Sequence, residues 1–147
     1  MNVQNQPMLT FGGVDIQQIS FNAKKPHLDK TIKIDFNIDT KYYCPEEAGG
    51  KFVIIMPVEL KGEDFFSLSL VAFGNFQIIN DVIDDEIKKN LINVNAPAIM
   101  FPYVRSFISF LTSQLGSSFK TITIPTQIFS GELDEYKPND KSPDTIE

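Results

Sequence analysis

NAPAIMFPYVRSFISFLTSQLG, residues 95–116, is the longest helix-compatible run in the chain, and it is apolar on more than one face. Phe101, Val104, Ile108, Leu111 and Leu115 follow helical spacing, and Met100, Tyr103, Phe107 and Phe110 form a second stripe beside them. One stripe is enough to seat a helix on a sheet. A second stripe needs a partner of its own, which is another subunit, another helix or a bound apolar ligand. Pro97 suits a first helical turn, whereas Pro102 predicts a bend or a restart, so Tyr103 to Leu115 is the regular portion and Gly116 the stop.

Working upstream, the pattern changes from helical to alternating. Ile32, Ile34, Phe36 and Ile38 alternate with Lys33, Asp35, Asn37 and Asp39, as expected of a strand with one buried and one wet face. A strand over 52–60 places Phe52, Ile54, Met56, Val58 and Leu60 on one side, with Pro57 predicting an edge position or a bulge. Another over 65–79 carries Phe66, Leu68, Leu70 and Ala72, with a bend at Gly74. The first strand, over 14–23, breaks alternation between Ile16 and Ile19, which predicts a bulge near Gln17 and Gln18. Asp81, Asp84, Asp85 and Glu86 read as the capped start of a short helix. Strands first and helices after them is an α+β order: a four-stranded antiparallel sheet backed by a long helix. Residues 1–13 read as a flexible leader, 14–130 as one domain, and 131–147, acidic and broken by Gly131, Pro138 and Pro143, as a disordered tail.

Composition narrows the function. A chain of 147 residues with net charge -6 and no basic block lacks the electrostatic footprint for nucleic acid or anionic membrane. Cys44 is the only cysteine, so no intrachain disulfide forms. With no signal-like start and no apolar run of spanning length, the chain reads as cytoplasmic and not membrane-inserted. The single histidine, His27, follows Pro26 in a predicted loop, and no metal, cofactor or catalytic set is expected, so the chain is read as a non-enzyme. Gly12-Gly13 and Gly49-Gly50 lack the strand-glycine-helix setting of phosphate loops and read as turns. Arg105, the only arginine, offers a planar fork to fixed acceptors such as carbonyls at a subunit seam or a buried carboxylate, or runs along the helix to water. Phenylalanine supplies thirteen residues and tryptophan none, an aromatic load that fills the core and exceeds what a small domain buries.

The run Pro97, Ile99, Phe101, Pro102, Tyr103 and Arg105 resembles the Pro-x-Ile-x-Phe-Pro-Tyr-x-Arg helix pattern of the SecB family of protein-export chaperones. Ile19 to Ala23 with Pro26 and His27, Gly74 to Ile78, and Ile122 to Pro125 resemble further family segments in the same order, so the resemblance spans about residues 14–130. It implies a four-stranded antiparallel sheet backed by helices and assembled as a tetramer, a dimer of dimers. Its implied activity is that of an ATP-independent holdase for unfolded polypeptides. The partners it implies are the translocation motor ATPase in export members and an aggregation-prone antitoxin in toxin-antitoxin relatives. Phe52, Ile54, Phe76, Phe101, Tyr103, Phe107 and Phe110 are then candidates for client binding or the subunit interface. Two departures favour a specialised member. The positions matching the motor-docking acids are Gln18, Asn22, Ser67 and Ser69, all uncharged, and the sequence after Pro125 is short and broken where the family's second helix belongs. A rival reading is a structural oligomerisation module that seals the second stripe without binding clients.

Overall fold

Apolar residues at every second position of 52–60 and 66–78 require adjacent extended segments sharing one buried face, and the computed structural model pairs these two segments along their whole length. It describes residues 8–24, 32–45, 49–79, 84–115, 121–126, 129 and 132–137. The elements are β1 (Met8–Ala23), β2 (Ile34–Ile38), β3 (Lys41–Tyr43), β4 (Lys51–Gly62), β5 (Phe66–Ile79), α1 (Asp85–Asn90), a π-helical turn (Leu91–Asn95), α2 (Ala96–Ser113) and β6 (Asp134–Glu135). Among the described residues the sheet has six strands, in the order β1-β5-β4-β3-β6, and β2 also pairs with β4.

The α+β class therefore stands, and the strand count of four is corrected to six. Residues 34–43 form two short strands laid end to end along β4, where Ile38 faces Val58 and Lys41 faces Ile55. β6 adds a parallel neighbour to β3, so part of the segment expected to be a disordered tail is in the sheet. β1 starts at Met8 rather than Val14, because residues 8–11 pair with 76–79 of β5. The expected bulge is present: Gln17 faces Val71 but Ser20 faces Ser69, and Gln18 takes φ 54°. Pro57 lies in an interior strand, not at an edge. Its missing N–H coincides with the gap between β2 and β3, and its carbonyl accepts from the Asp39 amide at 3.3 Å.

Two glycines do different work. Gly74 lies within β5, which continues through it, and a Cβ there would stand 2.7 Å from Met100 Sδ, so the glycine lets α2 settle onto the strand. Gly50 takes φ 84°, its carbonyl accepts from the Ile78 amide at 2.9 Å, and a Cβ would run into the Ile78 carbonyl. Gly50→Ala is expected to cost about 2–4 kcal/mol of stability, since left-handed strain and a backbone collision add, and urea unfolding checks it.

The core lies between the sheet and α2. Ile54, Met56, Ala72, Met100, Val104 and Ile108 are fully buried there. Met100 thus belongs to the sheet-facing stripe and not to the second one. α2 is continuous through Pro102, whose ring is on the exposed side; Ala98, whose carbonyl loses its donor, is also exposed, so the missing bond falls on the solvent side of the helix. Asp84 caps α1 by accepting from the Glu86 amide at 3.2 Å, as expected for the acidic cluster. Residues 1–7, the loop holding Pro26 and His27, Asp81, Gly116, Gly131 and residues 138–147 lie outside the described residues.

Candidate functional apolar face

Helical spacing divides α2 into two faces, and the sheet takes only one of them. Pro97, Met100, Phe101, Val104, Ile108 and Thr112 are buried. Ile99, Tyr103 and Phe110, at i, i+4 and i+11, remain 39%, 55% and 65% exposed, and Phe107 beside them is half-buried against the core. Large apolar side chains in line on one face form a patch that polar solvent does not favour.

The candidates fall into two groups. Phe52, Ile54, Phe76 and Phe101 lie inside the core of the chain, with Phe52 and Phe76 stacked at 5.4 Å between ring centres. Tyr103, Phe107 and Phe110 reach the surface in part or wholly. An aromatic series joins the groups: Phe76 meets Phe11 at 5.2 Å and Phe11 meets Tyr103 at 5.1 Å. Sequence reasoning misses Phe11 as a site residue because its position reads as leader; the i, i+2 alternation of Leu9 and Phe11 is the available signal. Tyr103 is thereby braced from β1 into the core.

On the opposite flank of α2, Phe101 meets Phe36 at 6.4 Å and Phe129 at 5.7 Å. The segment after the helix is fastened by side chains of α2. Arg105 Nε donates to the Ile124 carbonyl at 2.8 Å, Ser109 Oγ donates to the Ile122 carbonyl at 3.0 Å, and Thr112 Oγ1 accepts from the Ile122 amide at 2.9 Å. Arg105 therefore serves a carbonyl of its own chain, and buried Thr112 has its hydroxyl satisfied by the Ile108 carbonyl at 2.8 Å. In the helix motif, Pro97 and Phe101 are buried, Pro102 and Tyr103 exposed, and Arg105 intermediate, so the motif serves both faces.

Asn22 faces Ser67 and Ser20 faces Ser69 across β1 and β5, and Gln18 lies in the bulge between Gln17 and Ser20. These side chains are uncharged, but Glu59 and Lys61 of β4 stand opposite Ser69 and Ser67, so charge of both signs borders them. No group of three or more His, Cys, Asp or Glu side chains could hold a metal ion among the described residues. No helix among them is long and apolar enough to cross a membrane. Cys44 is half-buried; burial first, and then the Glu135 carboxylate, push its thiol above the usual range, and burial with Glu135 raises Tyr42 likewise. Both neutral forms are favoured in the folded chain. That contribution to stability is complete below the ordinary thiol value of about 8.5 and is lost as pH rises through the raised values. Urea midpoints are expected to fall between pH 7 and the alkaline range, and to fall less in Cys44→Ser.

Comparison with known proteins places this arrangement. A family model described as preprotein translocase subunit SecB matches residues 3–129. An uncharacterized protein of Methanocaldococcus jannaschii is 30% identical over 111 residues, 71% of this chain and 70% of that protein. The protein-export protein SecB of Orientia tsutsugamushi, strain Ikeda, is 33% identical over 124 residues, 79% of this chain and 73% of its own. Among solved structures, a SecB-like chaperone of Mycobacterium tuberculosis in complex with a peptide from an antitoxin superposes with a TM-score of 0.68 at 13% identity, covering 80% of this chain and 89% of that one. That likeness is one of fold.

Proposed function

The chain belongs to the SecB family, and from that membership we propose that it is an ATP-independent, non-enzymatic holdase that binds non-native polypeptide on the apolar face of α2 in a homo-oligomer. The observation that carries the reading is the line of Ile99, Tyr103 and Phe110 left exposed on a helix whose other face is fully used. A flexible client repays the ordering of its chain only by burying a large area, on the order of 1,000–3,000 Å² in coupled folding and binding. A single helix face is smaller than that, so copies of the face must add together, and several weak sites on one client multiply through effective concentration. The lack of acidic side chains at Gln18, Asn22, Ser67 and Ser69, the positions matching the motor-docking acids, favours a specialised holdase, such as an antitoxin guardian, over delivery to the export motor.

Light scattering with and without an excess of a permanently unfolded, non-aggregating polypeptide tests this. An oligomer that gains client mass is the expected result. An oligomer that takes up none means that the stripe is sealed between subunits, and the structural-module reading replaces the holdase.

A further inference from the structure

The outer edge of β3 is held by a very short segment. β6 contributes two paired residues, Asp134 and Glu135, in parallel register with Lys41 and Tyr42. Both acidic side chains are exposed, and an ion pair near them, Lys89 with Glu132 at 3.9 Å, is exposed as well and holds little. What holds the segment is a small set of main-chain and apolar contacts. The Leu133 amide donates to Asn93 Oδ1 at 2.7 Å, and the Tyr136 amide donates to the Tyr42 carbonyl at 2.7 Å. Leu133 packs on the core, and the Tyr136 ring stands edge-on to Tyr43 at 6.0 Å.

Asn93 is built for that task. Only 7% exposed, it sits in the π-helical turn before α2, and such single π turns recur at functional sites. Its Nδ2 donates to the Lys89 carbonyl at 2.7 Å, which fixes the amide plane and aims Oδ1 out of the helix at a passing backbone N–H. A side chain that reads a backbone amide reads extended polypeptide of any sequence, and the selective part is one apolar seat followed by one aromatic seat three residues on. These are the components of strand addition: main-chain bonds for affinity and spaced pockets for preference.

We infer that the β3 edge with Asn93 is a strand-docking site for an extended polypeptide, which the chain's own residues 132–136 occupy in cis and which a client segment with an apolar residue followed three positions later by an aromatic one displaces. The inference deepens the holdase reading and rests on it only for the identity of the displacing chain. A cis occupant acts at an effective concentration of about millimolar, so it masks the seat from isolated weak segments. A long client anchored elsewhere on the oligomer competes at a similar effective concentration and takes the seat.

The test is fluorescence anisotropy of a labelled peptide of residues 129–137, FSGELDEYK, titrated into the full chain and into a Leu133→Ala/Tyr136→Ala chain whose own segment is loosened. Binding at least tenfold tighter to the loosened chain is expected, with at least a fivefold loss on adding Asn93→Ala. Equal affinity for both chains, or no binding to the loosened one, overturns the inference. Amide exchange on the unmodified chain probes the same site without substitution. Bound unfolded client is expected to speed exchange at Leu133 and Tyr136 at least tenfold while Ile54 and Val58 keep their protection, and unchanged exchange with client bound overturns it. Peptide capture by the loosened chain without client uptake in light scattering sinks the holdase reading alone. Client uptake without peptide capture sinks the docking site alone.

Discussion

Phe101→Ala is expected to lower the unfolding free energy by about 3–5 kcal/mol, the range for truncating a buried aromatic and leaving a cavity. The ring is 2% exposed and stands where α2 meets β2 and the segment after the helix, 6.4 Å from Phe36 and 5.7 Å from Phe129. Neither neighbour can fill the space without leaving its own seat. Phe110→Ala is the control. At 65% exposed, that residue should change stability by no more than about 0.5 kcal/mol. Urea unfolding of both variants decides the point. A loss at Phe101 below about 1 kcal/mol would show that the segment around Phe129 collapses into the gap and that Phe101 does not hold the two layers together.

Pairing Tyr103→Asp with Phe110→Asp is expected to reduce client uptake at least tenfold while changing stability by only about 1 kcal/mol. Two carboxylates on an apolar face must be desolvated when a client covers them, and burying an unpaired charge is costly enough to outweigh the area gained. The main stability cost is loss of the tilted contact of Tyr103 with Phe11, worth about 0.5–1.5 kcal/mol for an aromatic pair. Light scattering with and without unfolded client reads both mass and uptake. A double variant that keeps its oligomer and binds client as well as before would remove the stripe from the client site. One that falls to monomers yet still takes up client would place Tyr103 and Phe110 in the subunit seam.

The stripe and the core are legible to different degrees for a physical reason. Helical periodicity separates the faces of α2, and it predicts that Val104 and Ile108 face the sheet while Tyr103 and Phe110 do not. It misassigns Met100, which lies near the border between faces. The burial of Met100 depends on Gly74 of a distant strand leaving room for the sulfur. Arg105 is singular in the composition, but its acceptor is not readable, because the Ile124 carbonyl reaches it only when the chain turns back along α2.

The residue pattern alone carries the α+β class, the buried faces of β4 and β5, the bulge after Gln17, the Asp84 cap and the two-faced helix, together with membership of the SecB family, whereas the apolar face read for β2 is only half-buried, with Ile34 exposed. Each of these is a property of neighbouring residues, periodicity or local motif. Three-dimensional packing was needed to put Pro57 in an interior strand at the break between β2 and β3. The same holds for β1 beginning at Met8, and for Leu133 and Tyr136 closing the β3 edge through Asn93 and Tyr42. Those outcomes depend on hydrogen bonds between segments far apart in the chain. Their energy is gained only after the segments meet, and no local pattern of residues records which segments will meet.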